Sequence, residues 1–325
     1  MRDTLLGLDI GGTKTELCLV RLPAGSPASD YTVLGSQRLS TEPHSGLESF
    51  LKRVSSQIDR LLLDHGQGRD RIRAIGIGVP GALHPRSGVL SQSSIPFLSG
   101  LALKAVFEGA LTGMGPAVLE NDANCFALAE ARLGAGGDWA RQNGIRQEDL
   151  CMLGVTLGTG VGGGIIMNGR LIRGKRGGAG EIGHFTLVPS GRPCYCRKLG
   201  CAEQYLSGGG LEQSYFARAS GNERLSAKEI FRRLDEGNPF ALATVESYRD
   251  DLTTFLSNVS NIFDPHVIVL GGGMSTQDRI YTGLEDRLKE TCFLTENPPS
   301  ILKHKIGDSA GMIGAALLAH ETEEA

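Results

Sequence analysis

Three of the seven cysteines in this 325-residue chain fall in one short stretch, GEIGHFTLVPSGRPCYCRKLGCAE, running from Gly180 to Glu203. Cys194, Cys196 and Cys201 lie within eight residues, Glu181 and Glu203 bracket them, and His184 follows the first glutamate closely. Thiolates and imidazole are soft donors suited to a metal ion, and carboxylates can accept hydrogen bonds from hydroxyl groups. The other chemistry-bearing residues sit at turns. DIGGTK (Asp9 to Lys14) and Gly158-Thr159-Gly160 offer backbone N–H groups that glycine lets approach a phosphate oxygen closely, with the Thr13 hydroxyl and the Lys14 charge beside the first turn. Either could equally be a plain hairpin turn, and neither matches the G-x-x-x-x-G-K-[ST] loop or the dinucleotide G-x-G-x-x-G pattern. Asp122, in Glu120-Asn121-Asp122-Ala123-Asn124, lies where a strand gives way to a helix, so it reads either as an N-cap or as a carboxylate poised at the ligand-binding end of a sheet.

The elements that must hold these residues follow from periodicity. LGLDIGGTKTELCLV (Leu6 to Val20) and GVTLGTGVGGGIIM (Gly154 to Met167) share one plan, an apolar run, a glycine turn and a second apolar run, and each reads as a β-hairpin. A repeat about 150 residues apart points to two related domains. Leu47, Phe50, Leu51, Val54, Ile58, Leu61 and Leu62 keep helical spacing, and Ile72 to Val79 reads as a buried strand. Ala117 to Glu120 is a short strand and Ala123 to Leu133 a helix capped by Asn121 or Asp122. Further on, Phe240, Val245, Tyr248, Leu252, Phe255, Leu256 and Val259 form one helical stripe that ends near Asp264-Pro265, before a strand from Val267 to Leu270, a GGG turn and a last helix from about Gly311. Strands with helices on their faces, in the same plan twice, make an α/β protein.

Composition narrows the partners. With 40% hydrophobic and 21% charged residues, 33 basic against 36 acidic side chains and a net charge of -3, no whole-chain field favours nucleic acid. No run of about 18 apolar residues suggests a membrane span, and the N-terminus lacks the features of a signal peptide, so the expected location is cytoplasmic. In that reducing setting an odd cysteine count with one tight cluster favours metal over disulfides. Cys18, Cys125, Cys151 and Cys292 lie in apolar or helical surroundings and read as packing residues.

Taken in order, DIGGTK, GVPG, ENDAN, LGTGVGGG, GEIGH, CYCRKLGCAE and VLGGGMS resemble the motif set of the ROK (repressor, open reading frame, kinase) family of sugar kinases, over residues 7 to about 316. The family's metal signature is a histidine in a GH pair, a spacer, then C-x-C-G-x-x-G-C-x-E. Here nine residues separate His184 from Cys194, and Cys196, Cys201 and Glu203 are in register, with Arg197 where the motif has glycine. The resemblance implies a two-lobed actin-like ATPase (ribonuclease H-like) α/β fold, with sugar and ATP in the cleft between the lobes. The smaller lobe would comprise residues 1–121 and about 310–325, and the larger 122–309 with the metal loop 181–203. It implies structural zinc on His184, Cys194, Cys196 and Cys201, a closed tetrahedral set with no position for an activated water. It makes Asp122 the general base for the sugar hydroxyl, with Asn121 beside it. Glu181, His184 and Glu203 would contact sugar hydroxyls and Gly81 would line the pocket, with Ser93 and Ser94 as minor contributors. Gly11, Gly12, Thr13 and Lys14 would form one phosphate loop, and Gly158, Thr159, Gly160 and Gly162 the other. Asp9 would hold Mg2+ through water, and Gly272 and Gly273 would flank adenosine.

The activity so implied is ATP-dependent phosphorylation of a hexose at its 6-hydroxyl. ENDANCFALAE, YLSGGGL and GDSAGMIGAALL resemble the family's bacterial N-acetylglucosamine kinases and fructokinases; the favoured sugar is N-acetylglucosamine or a related hexosamine, with fructose and glucose as alternatives that residue spacing alone does not separate, and the family suggests a homodimer. A sugar-responsive repressor would carry a DNA-binding helix-turn-helix before the first phosphate motif, where only eight residues precede Asp9. A zinc-ribbon nucleic-acid binder could cite Arg192, Arg197 and Lys198, but a few basic residues on one loop are ordinarily a solvated face.

Overall fold

The two apolar runs around DIGGTK form an antiparallel hairpin, β1 (Thr4–Ile10) and β2 (Lys14–Arg21). This computed structural model describes residues 3–22, 31–84, 87–91, 93–219, 221, 223–294 and 296–323. In it β3 (Thr32–Ser40) continues antiparallel to β2, a strand the sequence pattern hides because none of its residues is fully buried. The helical stripe becomes α1 (Leu47–Asp64), burying Phe50, Val54, Ile58, Leu61 and Leu62. β4 (Ile72–Val79) runs parallel to β1, and its near-continuous apolar sequence matches burial on both faces. A two-strand ribbon, β5 (Ala82–Leu83) with β6 (Leu90–Ser91), precedes α2 (Leu103–Ala110). Next come β7 (Ala117–Asn121), parallel to β4, and α3 (Asp122–Arg132). The sheet order is β3-β2-β1-β4-β7. Successive strand residues face opposite sides, and Leu6, Leu8 and Ile10 join Ile75, Ile77, Val79, Phe50 and Val54 in one core.

After α4 (Ala135–Gln142) the second glycine-rich run forms the hairpin β8 (Met152–Leu157) and β9 (Val161–Met167), followed by the two-residue strand β10 (Arg170–Leu171). Beyond the cysteine loop lie α5 (Glu203–Leu206), α6 (Gly208–Arg218), α7 (Ala227–Asp235) and α8 (Pro239–Phe263). β11 (Val267–Gly271), α9 (Leu284–Thr291) and β12 (Ser300–Lys303) follow. β11 pairs parallel with both β8 and β12, so β9-β8-β11-β12 repeats the order and sense of β2-β1-β4-β7. On α8 the stripe from Val245 to Val259 is buried, but Phe240 is 46% exposed, because the first turn presents Ala241 inward instead. Asn238 caps that helix through Ala241 N, with Pro239 at its first position, and Asp264 ends it in a left-handed conformation.

The last helix, α10 (Ala310–Glu323), is rich in small residues for a steric reason. A Cβ on Gly7 of β1 would lie 2.0 Å from the Met312 carbonyl oxygen, and one on Gly76 of β4 1.7 Å from that of Ala315, so helix and sheet backbones touch. Gly314 meets the Cys125 carbonyl of α3 just as closely, at 1.9 Å. These contacts decide where α3 belongs. The chain packs as two compact units, one of residues 1–138, 170–179 and 306–325, the other of 139–169 and 180–305. The sequence reading divides the chain at 121/122 and 309/310; the observed division puts α3 with the first unit, because α10 grips it there.

Candidate functional site

In the first unit the carboxyl ends of three parallel strands lie side by side. Asp9 of β1 is in register with Gly78 of β4, and Val79 of β4 with Asn121 of β7. This is the end of an α/β sheet at which ligands bind. Asn121 is the cap of α3: its Oδ1 accepts from Ala123 N at 2.9 Å and Asn124 N at 3.2 Å, while its Nδ2 donates to the Gly81 carbonyl at 3.2 Å. Asp122 is therefore the first helical residue, its Oδ1 also accepting from Ala123 N at 2.9 Å. Burial lifts its carboxyl above the ordinary value, with the N–H groups of Ala123 and of Asp122 itself pulling the other way. Beneath it Glu120, 4% exposed, accepts from Asn121 N, Asn124 Nδ2 and, at 2.5 Å, Arg173 Nε.

The DIGGTK turn is closed by Gly11 N donating to Lys14 O at 2.9 Å. Thr41, wholly buried, pins it: Oγ1 donates to Gly11 O at 2.7 Å, and its N–H to Thr13 O at 3.0 Å. Thr13 is exposed, while Gly11 and Gly12 are half-buried, with the Ser94 hydroxyl 3.8 Å from where a Cβ on Gly12 would stand. The Ser93 hydroxyl is occupied in accepting from Ile95 N. Lys14 Nζ lies 2.7 Å from Glu16 Oε2 and 3.5 Å from Asp308 Oδ2, and Glu16 also takes Arg38. Burial, then the charges of Asp122 and Glu16, push the Asp9 carboxyl up to about 7, against the pull of Lys14.

The second unit builds its turn differently. Gly158 N donates to Gly160 O at 2.9 Å, and Gly208 N to Gly158 O at 2.9 Å. Glu203, opening α5, slides its carboxylate beneath the turn: Oε2 accepts from Val161 N at 3.2 Å and would stand 2.6 Å from a Cβ on Gly160. The glutamate that sequence groups with the sugar and the glycine it groups with ATP are thus neighbours. Gly272 abuts the same turn, its would-be Cβ 3.0 Å from Gly158 N, and Gly273 starts a 3-10 turn beyond it. Gly162 lies inside the ladder opposite Thr156, one step past the turn.

The cysteine loop closes into a clasp. One donor atom from each of His184, Cys194, Cys196 and Cys201 lies within 4.8 Å of all the others, a set able to hold a metal ion. His184 turns Nδ1 to Cys194 Sγ at 3.7 Å, and Cys196 and Cys201 bring their sulfurs to 3.5 Å. A tetrahedron with bonds of about 2.3 Å has edges of about 3.8 Å, so these separations fit the donors of one tetrahedral ion. On its other side the imidazole offers Nε2 to Tyr195 Oη at 2.9 Å, with Glu181 Oε2 at 4.0 Å. Arg197 is exposed and its backbone is left-handed, at φ 71°. The family glycine is thereby explained: the tight turn from Cys194 O to Arg197 N needs positive φ, which costs a residue with a side chain about 1 kcal/mol.

Several supporting residues carry no local signal, and Arg192, which the sequence assigns to a solvated face, is one of them. Arg192 is a tie inside the protein, its guanidinium donating to Gln204 O, Gly210 O and Ser214 Oγ and lying over the Tyr205 ring at 4.7 Å. Glu120 opens the ENDAN motif, but its partner Arg173 is 53 residues away and nothing local announces it. Of the cysteines read as packing residues, Cys18, Cys125 and Cys292 are buried, while Cys151 is half-exposed with its thiol 3.8 Å from Asn168 Oδ1.

Known proteins agree with this architecture. The model of the ROK family matches residues 5–322. An N-acetyl-D-glucosamine kinase of Citrobacter koseri is 37% identical, over 96% of this chain and 98% of that one. A ROK hexokinase from Thermus thermophilus superposes with a TM-score of 0.81 at 32% identity, covering 99% and 100% of the two chains. A ROK family glucokinase from Streptomyces griseus, solved in complex with glucose and AMPPNP, gives a TM-score of 0.78 at 27% identity over 98% and 99%. The chain belongs to the ROK family, and its fold is that of the family's sugar kinases.

Proposed function

We propose that this ROK-family chain is an ATP-dependent sugar kinase that transfers the γ-phosphoryl group of ATP to the 6-hydroxyl of N-acetylglucosamine or a related hexosamine. The observation that carries the reading is Asp122 at the carboxyl end of β7, oriented by the Asn121 cap and lifted by burial. A loose phosphoryl-transfer transition state asks only that the base orient the hydroxyl and accept its proton late, which such a carboxylate can do. Relatives 35% and 37% identical and named N-acetyl-D-glucosamine kinase support the hexosamine.

Asp122 takes the proton from the attacking hydroxyl, and Asn121 and Gly81 line the sugar's place beside it. Glu181, His184 and Glu203 pair the remaining hydroxyls, each of which would cost about 1–3 kcal/mol if left unpaired in a dry site. Gly11, Gly12, Thr13 and Lys14 receive phosphate oxygens, as do Gly158, Thr159, Gly160 and Gly162, while Gly272 and Gly273 flank the nucleoside. Magnesium bound with ATP would shield phosphate charge, and Asp9, a hard oxygen donor, would hold it. Zinc on His184, Cys194, Cys196 and Cys201 would be structural, since the closed set fixes the loop and offers no position for substrate. The described residues contain no helix long and apolar enough to cross a membrane. The family resemblance supports a homodimer.

The test is ADP release with N-acetylglucosamine, glucosamine, mannose, glucose and fructose in turn. The expected result is sugar-dependent release, with kcat/KM highest for N-acetylglucosamine. Equal release with and without sugar would remove the kinase reading, and a higher kcat/KM for glucose or fructose would move the substrate.

A further inference from the structure

Two cations and two carboxylates meet beside the DIGGTK turn, and Arg38 and Asp308 among them have no part in the proposed transfer. Lys14 and Glu16 stand on one face of β2, and Glu16 lies opposite Arg38 across the β2–β3 ladder. Glu16 binds both cations, with Lys14 Nζ at 2.7 Å, Arg38 Nε at 2.9 Å and Arg38 Nη2 at 2.6 Å. Asp308, in the 3-10 turn Gly307–Ser309 that leads into α10, approaches the same two cations, at 3.5 Å from Lys14 Nζ and 3.6 Å from Arg38 Nη2. The two acids are not equivalent. Glu16 has 8% of its side chain exposed and holds its partners closely, whereas Asp308 has 78% exposed and stands further off. An ion pair so long and so exposed contributes little, so a stronger anion can replace Asp308 at small cost.

We infer that Arg38 is a phosphate-binding residue of the nucleotide site, and that Asp308 is the counter-ion which the arriving phosphate displaces. This rests on the kinase reading above and adds two residues to its nucleotide end. With Glu16 on Nε and Nη2, Nη1 of Arg38 has no partner among the described residues, and much of the side chain is exposed. A guanidinium can give that open edge to a phosphate and still keep its carboxylate. Charge favours the exchange. Lys14 and Arg38 are balanced by Glu16 and Asp308, so the cluster is neutral while Asp308 stays and cationic once it withdraws. Glu16 remains, fixing ammonium and guanidinium side by side. The helix that follows Asp308 also reaches the carboxylate assigned to magnesium: a Cβ on Gly311 of α10 would lie 2.2 Å from Asp9 Oδ2.

The experiment compares the full-length protein with Asp308→Asn, Arg38→Gln and Arg38→Lys. Calorimetry measures ADP binding in the presence of magnesium at about 0.05 M and about 0.5 M salt, and N-acetylglucosamine binding without nucleotide. Asp308→Asn is expected to bind ADP about threefold more tightly than the unaltered protein at low salt, with the advantage shrinking at high salt. Arg38→Gln is expected to bind ADP about tenfold more weakly, Arg38→Lys to recover part of that loss, and sugar affinity to stay unchanged in all three. ADP binding in Asp308→Asn that is no tighter would overturn the inference, as would unaltered ADP binding in Arg38→Gln. Sugar binding lost together with ADP binding in Arg38→Gln would also overturn it, since the arginine would then only support the fold. Failure of the kinase reading is distinct: the unaltered protein would itself bind no ADP, and both would fall together.

Discussion

The two sheets of this protein share strand order and sense, yet their strand ends are furnished in opposite ways. Around the first hairpin the chain gathers carboxylates, with Asp9, Glu16 and Asp122 near enough for two of them to raise the third. Around the second hairpin the turn is nearly bare backbone, supported by a single glutamate, Glu203, beneath it. Its chemistry is displaced into the loop that follows, where an imidazole and three thiols hold a shape that no strand supplies. One topology thus carries a carboxylate-rich end and an end followed by a loop of imidazole and thiol donors, because a sheet fixes where loops begin and leaves their composition open.

If that division is sound, damage to the first unit should alter turnover and pH response, and damage to the second should alter sugar affinity, metal content and stability. The largest effect is expected from Asp122→Asn, which should lower kcat about a thousandfold while calorimetry finds sugar affinity within about threefold. Turnover within tenfold of the unaltered protein would show that the base lies elsewhere. Because burial raises the Asp122 carboxyl and a base must be ionised, kcat/KM should fall on the acid side at a pH above the usual carboxylate range; a pH profile flat down to 4 would contradict it.

Cys201→Ser should come next, taking bound metal from about one per chain to near none and raising sugar KM more than tenfold. If sugar KM held while metal was lost, the clasp would not be what positions the sugar-reading side chains.

Asp9→Asn is the subtler test of the first unit. Its carboxyl titrates near 3.8 when unfolded and at about 7 when folded, so folding favours the protonated form. Stability from this group is complete below about pH 3.8 and lost as pH rises toward 7. Without nucleotide or magnesium, Asp9→Asn should therefore raise Tm by about 4 °C at pH 7.5 and by less at pH 5. Equal shifts at both pH values would show that the carboxyl is not raised.

Arg197→Gly should have the smallest effect, a gain of about 1 kcal/mol or about 2 °C in Tm from relief of the positive φ, with kinetics unchanged. A loss of stability would show that the arginine side chain contributes more than the strain removes.

Much of the fold was legible because its signals are local. β4 spans the stretch from Ile72 to Val79 that reads as buried, α3 begins at Asp122 beside its Asn121 cap, and both hairpins flank their glycine turns. β3 was not legible, since a strand with no fully buried residue shows no apolar period. The boundary between units was misplaced for a related reason: the hold of α10 on α3 is a backbone contact at Gly314, and a glycine carries no pattern that names its partner.

At the candidate site the donors and their spacing are local facts of the chain: a histidine and three cysteines in register, an aspartate at a strand end, two glycine turns. These follow from turn chemistry and ligand spacing, which act over a few residues. How each donor is spent depends on packing between distant segments. Asn121 rather than Asp122 became the cap, His184 divided its two nitrogens between sulfur and phenol, and Glu203 gave an oxygen to Val161. Hydrogen-bond capacity is finite and its partners lie far along the chain, as Arg173 does from Glu120, so that allocation is settled by packing and cannot be read from neighbours in sequence.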